Sequence, residues 1–336
     1  MVRSGLFHGG CDGRETGASV VGWPRGLKPA ARGLLVACVM GAFLLPLISG
    51  CDPVHGGAGD VVRVIGRLGT GPGEFGYPRA ITVDERGTFF VVDKTGRIQR
   101  FDKDGNLERV WSMPQVKAGK PVGIYIHADG RLFIADTHYH RVLITDRDGN
   151  VLDSFGREGM GAGEFSLPTD VAVDADGFIY VSEYYLTERI SKWSPDLQFV
   201  KCFGEAPIEG RRLSRPAAMV FDDEQTLWVA DACNHRLVRF SRDGAVLRTF
   251  GSFGSGPGEM RYPYDVNVAP DGTLLVCEYG GHRVQWFDKE GRSLKIWGTS
   301  GRAPGELFAP WGAVCGADET VIVVDSLNNR VQMVRP

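Results

Sequence analysis

Six near-copies of one phrase constrain this chain more than any other feature. Residues 168–204 set the pattern: Pro168-Thr-Asp-Val-Ala-Val-Asp-Ala-Asp-Gly177, an apolar run ending at Glu183, then Arg189-Ile-Ser-Lys-Trp193 and Cys202-Phe-Gly204. The phrase restarts at Pro78, Pro121, Pro216, Pro263 and Pro310, so successive prolines stand 43, 47, 48, 47 and 47 residues apart. Several short apolar runs per unit, at a period in the forties, specify small sheets arranged radially. The expected fold is all-β: a six-bladed β-propeller of four-stranded blades over residues 60–336. Gly makes up 46 of 336 residues, but most glycines hold fixed repeat positions, as turns require, and so do not indicate disorder.

Each repeat divides into strands a to d. Strand a follows the proline, and its third and fifth following residues are apolar (Val171 and Val173; Val266 and Val268), which is the alternation of a strand. Asp176-Gly177 and Asp271-Gly272 suit tight a–b turns. Strand b ends at an acid, and strand c opens on an arginine after a loop. The pairs are Asp93/Arg97, Asp136/Arg141, Glu183/Arg189, Asp231/Arg236, Glu278/Arg283 and Asp325/Arg330. Strand d ends in Phe-Gly or Trp-Gly, and the d–a loop often carries Gly-x-Gly-Glu, at Glu74, Glu164, Glu259 and Glu306. The two ends of the chain do not match this plan. Residues 61–66 read as a lone strand d, while the last repeat stops at Pro336, one strand short. Residues 61–66 are therefore expected to complete the sixth blade, closing the ring and hiding its edges.

These motifs resemble the NHL repeat over about residues 60–336, most closely at Asn234-His235-Arg236 and Asn328-Asn329-Arg330. Repeat 1 departs: the loop from Asp93 to Arg97 is a residue short, and no Gly-x-Gly-Glu follows Trp111. Repeat 3 departs the other way, with a longer loop from Glu183 to Arg189. Identical blades make a ring, whereas differences between blades make a specific site.

The N-terminus is a different text. Arg25, Lys28 and Arg32 precede an apolar run from Gly33 to Ser49, 17 residues long and broken by Pro46. That is short for a spanning helix, which needs about 20 residues. A basic flank, a short apolar core and small residues at its end describe a signal peptide, with a plain membrane anchor as the alternative. Leu47-Ile-Ser-Gly-Cys51 resembles a bacterial lipobox, which implies lipidation at Cys51. The expected division is a signal peptide with lipobox over 1–51, a flexible tether over 52–59 and the propeller over 60–336. The expected location is the cell envelope, lipid-anchored on the periplasmic or extracellular side of a bacterial membrane, as a monomer. Removing residues 1–51 takes five basic and two acidic residues, leaving 33 basic against 39 acidic, a net charge near −6. An acidic domain repels phosphate backbones, so nucleic acid is not an expected partner. Cys202, Cys233, Cys277 and Cys315 sit in separate repeats without CxxC spacing; Cys277 and Cys315 occupy positions held elsewhere mainly by small or branched apolar residues.

Alternating strand directions put the long b–c and d–a loops on one face and the tight turns on the other. Ligand contacts collect on long, variable loops. Strand a is innermost in propellers, so residues just after each proline should rim the central channel. Arg79, Thr169, Asp170, Tyr264, Asp265 and Trp311 are the candidate ligand-binding set there. The repeated acid–arginine pairs are expected to be structural loop clamps, because a catalytic carboxylate is needed once or twice and a clamp in every blade. His138, His140, His235 and His282 all fall in b–c loops, but His140, His235 and His282 each precede the arginine of their own repeat, as Asn329 does, and such equivalent positions lie around a ring and do not converge on one ion. No nucleophile motif is present: there is no G-x-S-x-G and no H-E-x-x-H.

Two readings of function follow. The first is a non-enzymatic binding module that presents its long-loop face to a protein, glycan or small molecule, with no cofactor and no metal. The second is a channel-mouth metal-dependent enzyme, a lactonase-like hydrolase or a lyase. Six-bladed relatives of that kind imply calcium or zinc in the channel, and Asp170, Asp265 and Asn267 are the only matching side chains.

Overall fold

The computed structural model describes residues 60–336. Cys51, the leader and the tether lie outside them. Six antiparallel four-stranded sheets are present. Their inner strands are Pro78–Val83, Gly123–Ile126, Leu167–Val173, Pro216–Phe221, Pro263–Val268 and Gly312–Cys315, which number blades 1 to 6. Three single 3₁₀ turns, at 137–139, 232–234 and 326–328, are the only helical residues among those described, and none is long enough to cross a membrane.

Every strand b is buried as far as its closing acid, as in Phe89–Asp93 and Leu274–Glu278. A strand packed on both faces reads as a continuous apolar run. Its alternate side chains serve two different seams. Phe89 and Val91 join Ile322 and Val324 between blades 6 and 1, while Phe90 and Val92 join Ile124 and Ile134 between blades 1 and 2. Six such clusters, one per seam, constitute the core. Cys202, Cys277 and Cys315 are free thiols, and Cys277 is fully buried in the seam between blades 5 and 6.

The ring closes as the two mismatched ends require. Asp60–Ile65 pairs antiparallel with Arg330–Arg335, from Asp60 opposite Arg335 to Ile65 opposite Val331, with a bulge between Val61 and Arg63. The strand sits one residue earlier than the sequence implied. Gly66, at φ +88°, has already turned away, and a Cβ there would lie 2.4 Å from the ring of Phe75. Phe75 is fully buried beneath it, anchoring the d–a loop. Ile65 enters the 6–1 seam, and Arg63 Nη1 donates to Asn106 Oδ1 (2.9 Å) in the c–d turn of blade 1, so the closing strand fastens to both neighbours.

Candidate functional site

The repeated acids and arginines pair within each blade. Arg141, Arg189, Arg236, Arg283 and Arg330 donate through Nε to Asp136, Glu183, Asp231, Glu278 and Asp325 at 2.9, 2.9, 2.8, 2.6 and 2.6 Å. In blade 1, Arg97 Nη2 meets Asp93 Oδ2 at 2.7 Å. The arginine's other nitrogens reach loop carbonyls: Arg189 donates to Met160 O (2.9 Å) and Glu164 O (3.1 Å), and Arg283 to Gly256 O (3.2 Å) and Glu259 O (2.8 Å). The acid accepts from the backbone two residues before the proline, as Glu183 does from Ser166 N (2.9 Å) and Asp231 from Ser214 N (2.7 Å). In blades 1 and 3 to 6 the pair thus ties its b–c loop to the d–a loop before it. Blade 2 lacks the Gly-x-Gly-Glu loop, and there Asp136 Oδ1 and Arg141 Nη2 are buried without a hydrogen-bond partner.

The residue before these arginines is a staple between blades. His235 Nδ1 accepts Tyr262 N–H (3.1 Å), His282 Nδ1 accepts Ala309 N–H (2.9 Å), and Asn329 Oδ1 accepts Tyr77 N–H (2.9 Å). An accepting Nδ1 must be unprotonated. Burial first, then nearby Arg211 and Arg261, lowers the His235 pKa below its ordinary 6.5, and burial with Arg261 lowers that of His282. The unfolded chain then binds protons more readily, so stability is complete above about pH 6.5 and falls as pH drops through the depressed folded values. Asn is the natural equivalent at blade 6 and tolerates the left-handed backbone these positions adopt (φ 57° and 54°). The double variant His235→Asn, His282→Asn should fold, and its loss of melting temperature from pH 7.5 to 5.5 should be smaller than wild type by about 1–2 °C, since both rings are half exposed and screened. Identical pH profiles would remove the staple role.

The functional candidates are the residues that do not repeat. Arg79, Asp170, Tyr264, Asp265 and Trp311 line one central cavity of about 140 Å³. Thr169 does not join them. It is 3% exposed, and its Oγ1 donates to Pro216 O (2.8 Å) and shares a hydrogen bond with Ser182 Oγ (2.7 Å), bridging blades 3 and 4. A register shift at the start of the inner strand, between Pro168 and Asp170 and again between Pro263 and Asp265, marks a bulge at the rim. In blade 5 it leaves the consecutive residues Tyr264 and Asp265 both on the channel wall.

An aromatic wall stands at the mouth. Tyr264 stacks on Tyr279 with centroids 4.5 Å apart, and Trp311 meets both edge-on at 4.9 and 5.7 Å. Tyr77 closes the group, its hydroxyl 3.2 Å from that of Tyr279 and its ring 5.9 Å from Trp311. Three cations border this wall: Arg79 Cζ lies 5.3 Å from the Trp311 centroid, Arg215 Cζ 4.7 Å from that of Tyr264, and Lys94 Nζ 5.7 Å from that of Tyr77. Arg79 has no ion-pair partner among the described residues, and its Nε is buried without a hydrogen bond. Burial lowers its pKa. Sequence reading missed Tyr77, Tyr279 and Arg215, which come from loop positions flanking the strands. The available signal was an aromatic directly after the strand-b acid (Tyr184, Tyr279) where other blades carry Thr137, Ala232 or Ser326.

Below the wall, two carboxyls face the channel and also bridge blades. Asp170 Oδ2 accepts Met219 N–H (2.8 Å), and Asp265 Oδ2 accepts Ala313 N–H (2.9 Å) and Asn267 Nδ2–H (3.1 Å). Burial pushes both up, Asp265 to about 7, and Asp265 raises Asp170 further. These residues do not fit a metal cage. One oxygen of each acid is committed to a backbone N–H, and no three His, Cys, Asp or Glu ligands converge in the channel among the described residues. The one convergent group, Asp222, Asp223 and Glu224, lies at the a–b turn of blade 4 and is held by Arg239 and Lys289.

The comparisons agree with this architecture. The rat (Rattus norvegicus) peptidylglycine alpha-amidating monooxygenase is 32% identical over 135 residues, covering 37% of this chain and 14% of that protein. Human (Homo sapiens) NHL repeat-containing protein 3 is 29% identical over 145 residues, 41% of each chain. The chain thus spans less than half the length of either relative. A streptogramin B lyase structure superposes with a TM-score of 0.59 at 16% identity, covering 80% of this chain and 95% of that one, a likeness of fold. The model of the SMP-30/gluconolactonase/LRE-like region matches residues 77–306, so the chain belongs to that family.

Proposed function

We propose that this protein is a ligand-binding propeller that captures a small molecule at the long-loop mouth of its channel, without catalysing its conversion. The observation that carries the reading is Arg79: a half-buried cation whose Nε is shut off from water, framed by Trp311 and Tyr77, facing a cavity, with no carboxylate partner among the described residues. Leaving a buried charge unpaired is costly, and a bound anionic group removes that cost. The aromatic wall supplies a flat apolar surface beside it. Export and lipidation at Cys51 belong to the same proposal. Asp60 stands at the tight-turn end of the closing strand, on the face opposite the channel mouth.

A second reading, hydrolase or lyase chemistry in the channel, draws support from the family and from the lyase whose fold is shared. Metal content of the full chain, with thermal shifts in calcium, zinc and chelator and a lactone-hydrolysis assay, separates the two. Binding without catalysis predicts substoichiometric metal, no shift on chelation and background hydrolysis. One metal per chain, lost together with hydrolysis in Asp265→Asn, would establish the enzyme instead.

A further inference from the structure

We propose that the ligand of this channel is a small zwitterion of the amino-acid type, its anionic group on Arg79 at the mouth and its cationic group on Asp170 and Asp265 below. The inference rests on the binding reading above and adds the chemical class. Its basis is a charge pattern that the protein leaves open. Arg79 is the first residue after Pro78, whereas Asp170 and Asp265 are the second after Pro168 and Pro263, one residue further down the inner strands. One residue of strand is about 3.3 Å, so the acids form a lower tier than the arginine. All three line the same cavity, from blades 1, 3 and 5.

Among the described residues, none of the three charges has an ion-pair partner. Arg79 lies against the rings of Tyr77 and Trp311. Asp170 and Asp265 meet backbone N–H groups and Asn267, and no lysine or arginine pairs with either among the described residues. The acids that close each strand b, by contrast, all have their arginine. Burial without a cation raises both channel carboxyls, and a ligand ammonium placed between them would restore their ionised forms. A purely anionic ligand would leave the acids uncompensated, and a purely cationic one would leave Arg79 so. A molecule with both charges a few bonds apart answers both tiers. At about 140 Å³ the cavity holds the charged core of such a molecule, with its side chain directed to Tyr264 and Trp311 at the mouth.

The test is calorimetric titration and thermal shift of the full-length protein with the proteinogenic L-amino acids, followed by the N-acetyl and carboxamide forms of the best binder. The expected result is saturable binding of at least one free amino acid and a loss of at least tenfold on blocking either end. Arg79→Gln should abolish discrimination against the carboxamide. Asp170→Asn with Asp265→Asn should abolish discrimination against the N-acetyl form while keeping an oxygen for Met219 and Ala313 N–H. If the asparagine pair fails to fold, the blocked-ligand comparison in wild type decides alone. Equal binding of the N-acetyl form overturns the zwitterion assignment, as does a panel without binders. If a different small molecule then binds and requires Arg79, the binding site survives and only the ligand class falls. If nothing requires Arg79, both fall.

Discussion

Deleting residues 60–66 is expected to lower the melting temperature by about 10 °C or more and to make the protein aggregate. The strand Asp60–Ile65 supplies the outer ladder of blade 6 along Arg330–Arg335, places Ile65 in the seam with Phe75, Phe101 and Met333, and clasps blade 1 through Arg63. Ladder bonds are worth about 1 kcal/mol net each and a buried isoleucine about 2 kcal/mol, so the loss is on the order of 5 kcal/mol. In a domain of this size that moves the midpoint by about 10 °C or more. The deletion also bares Arg330–Arg335 as an open edge, a template for pairing with other chains. An unchanged melting curve would mean that the ring is not held shut by this strand.

Asp231→Ala should be the most damaging single substitution in the clamps, and the same change at Asp136 clearly milder. Asp231 is fully buried, bonds Ser214 N–H, Asn234 and Arg236, and leaves Arg236 only 6% exposed behind it. Removing one partner of a buried pair costs about 3–5 kcal/mol, because the other charge stays buried and unpaired. Asp136 has one idle oxygen, and its Arg141 is 22% exposed, so water takes over more readily there. Denaturant unfolding of the two variants measures the difference; equal losses would remove the distinction between the clamps.

The period of the prolines and the acid–arginine clamps were legible because each is a local rule repeated six times, and the ring closure because the two chain ends are where that rule breaks. The channel was legible only in part. Strand a's place at the centre brought Arg79, Asp170, Tyr264, Asp265 and Trp311 into view, and all five reach one cavity. Thr169 did not: it sits in the bulge between Pro168 and Asp170, where its small hydroxyl finds Pro216 O in the neighbouring blade. Tyr77, Tyr279 and Arg215 arrive from loops whose direction depends on backbone geometry, such as φ 58° at Tyr77 and 56° at Arg215. No periodicity encodes that. The histidines show the reverse case: their equivalence to Asn329 was visible in sequence, but the backbone N–H that each accepts belongs to the next blade and required the fold.

Function at the unrepeated residues of the channel mouth is tested most directly by a paired small-molecule thermal-shift screen of the wild type and Arg79→Gln. That placement predicts at least one compound with an ionised acidic group that raises the wild-type melting temperature and leaves the variant unmoved. A library in which every stabilising compound acts equally on both proteins would contradict it.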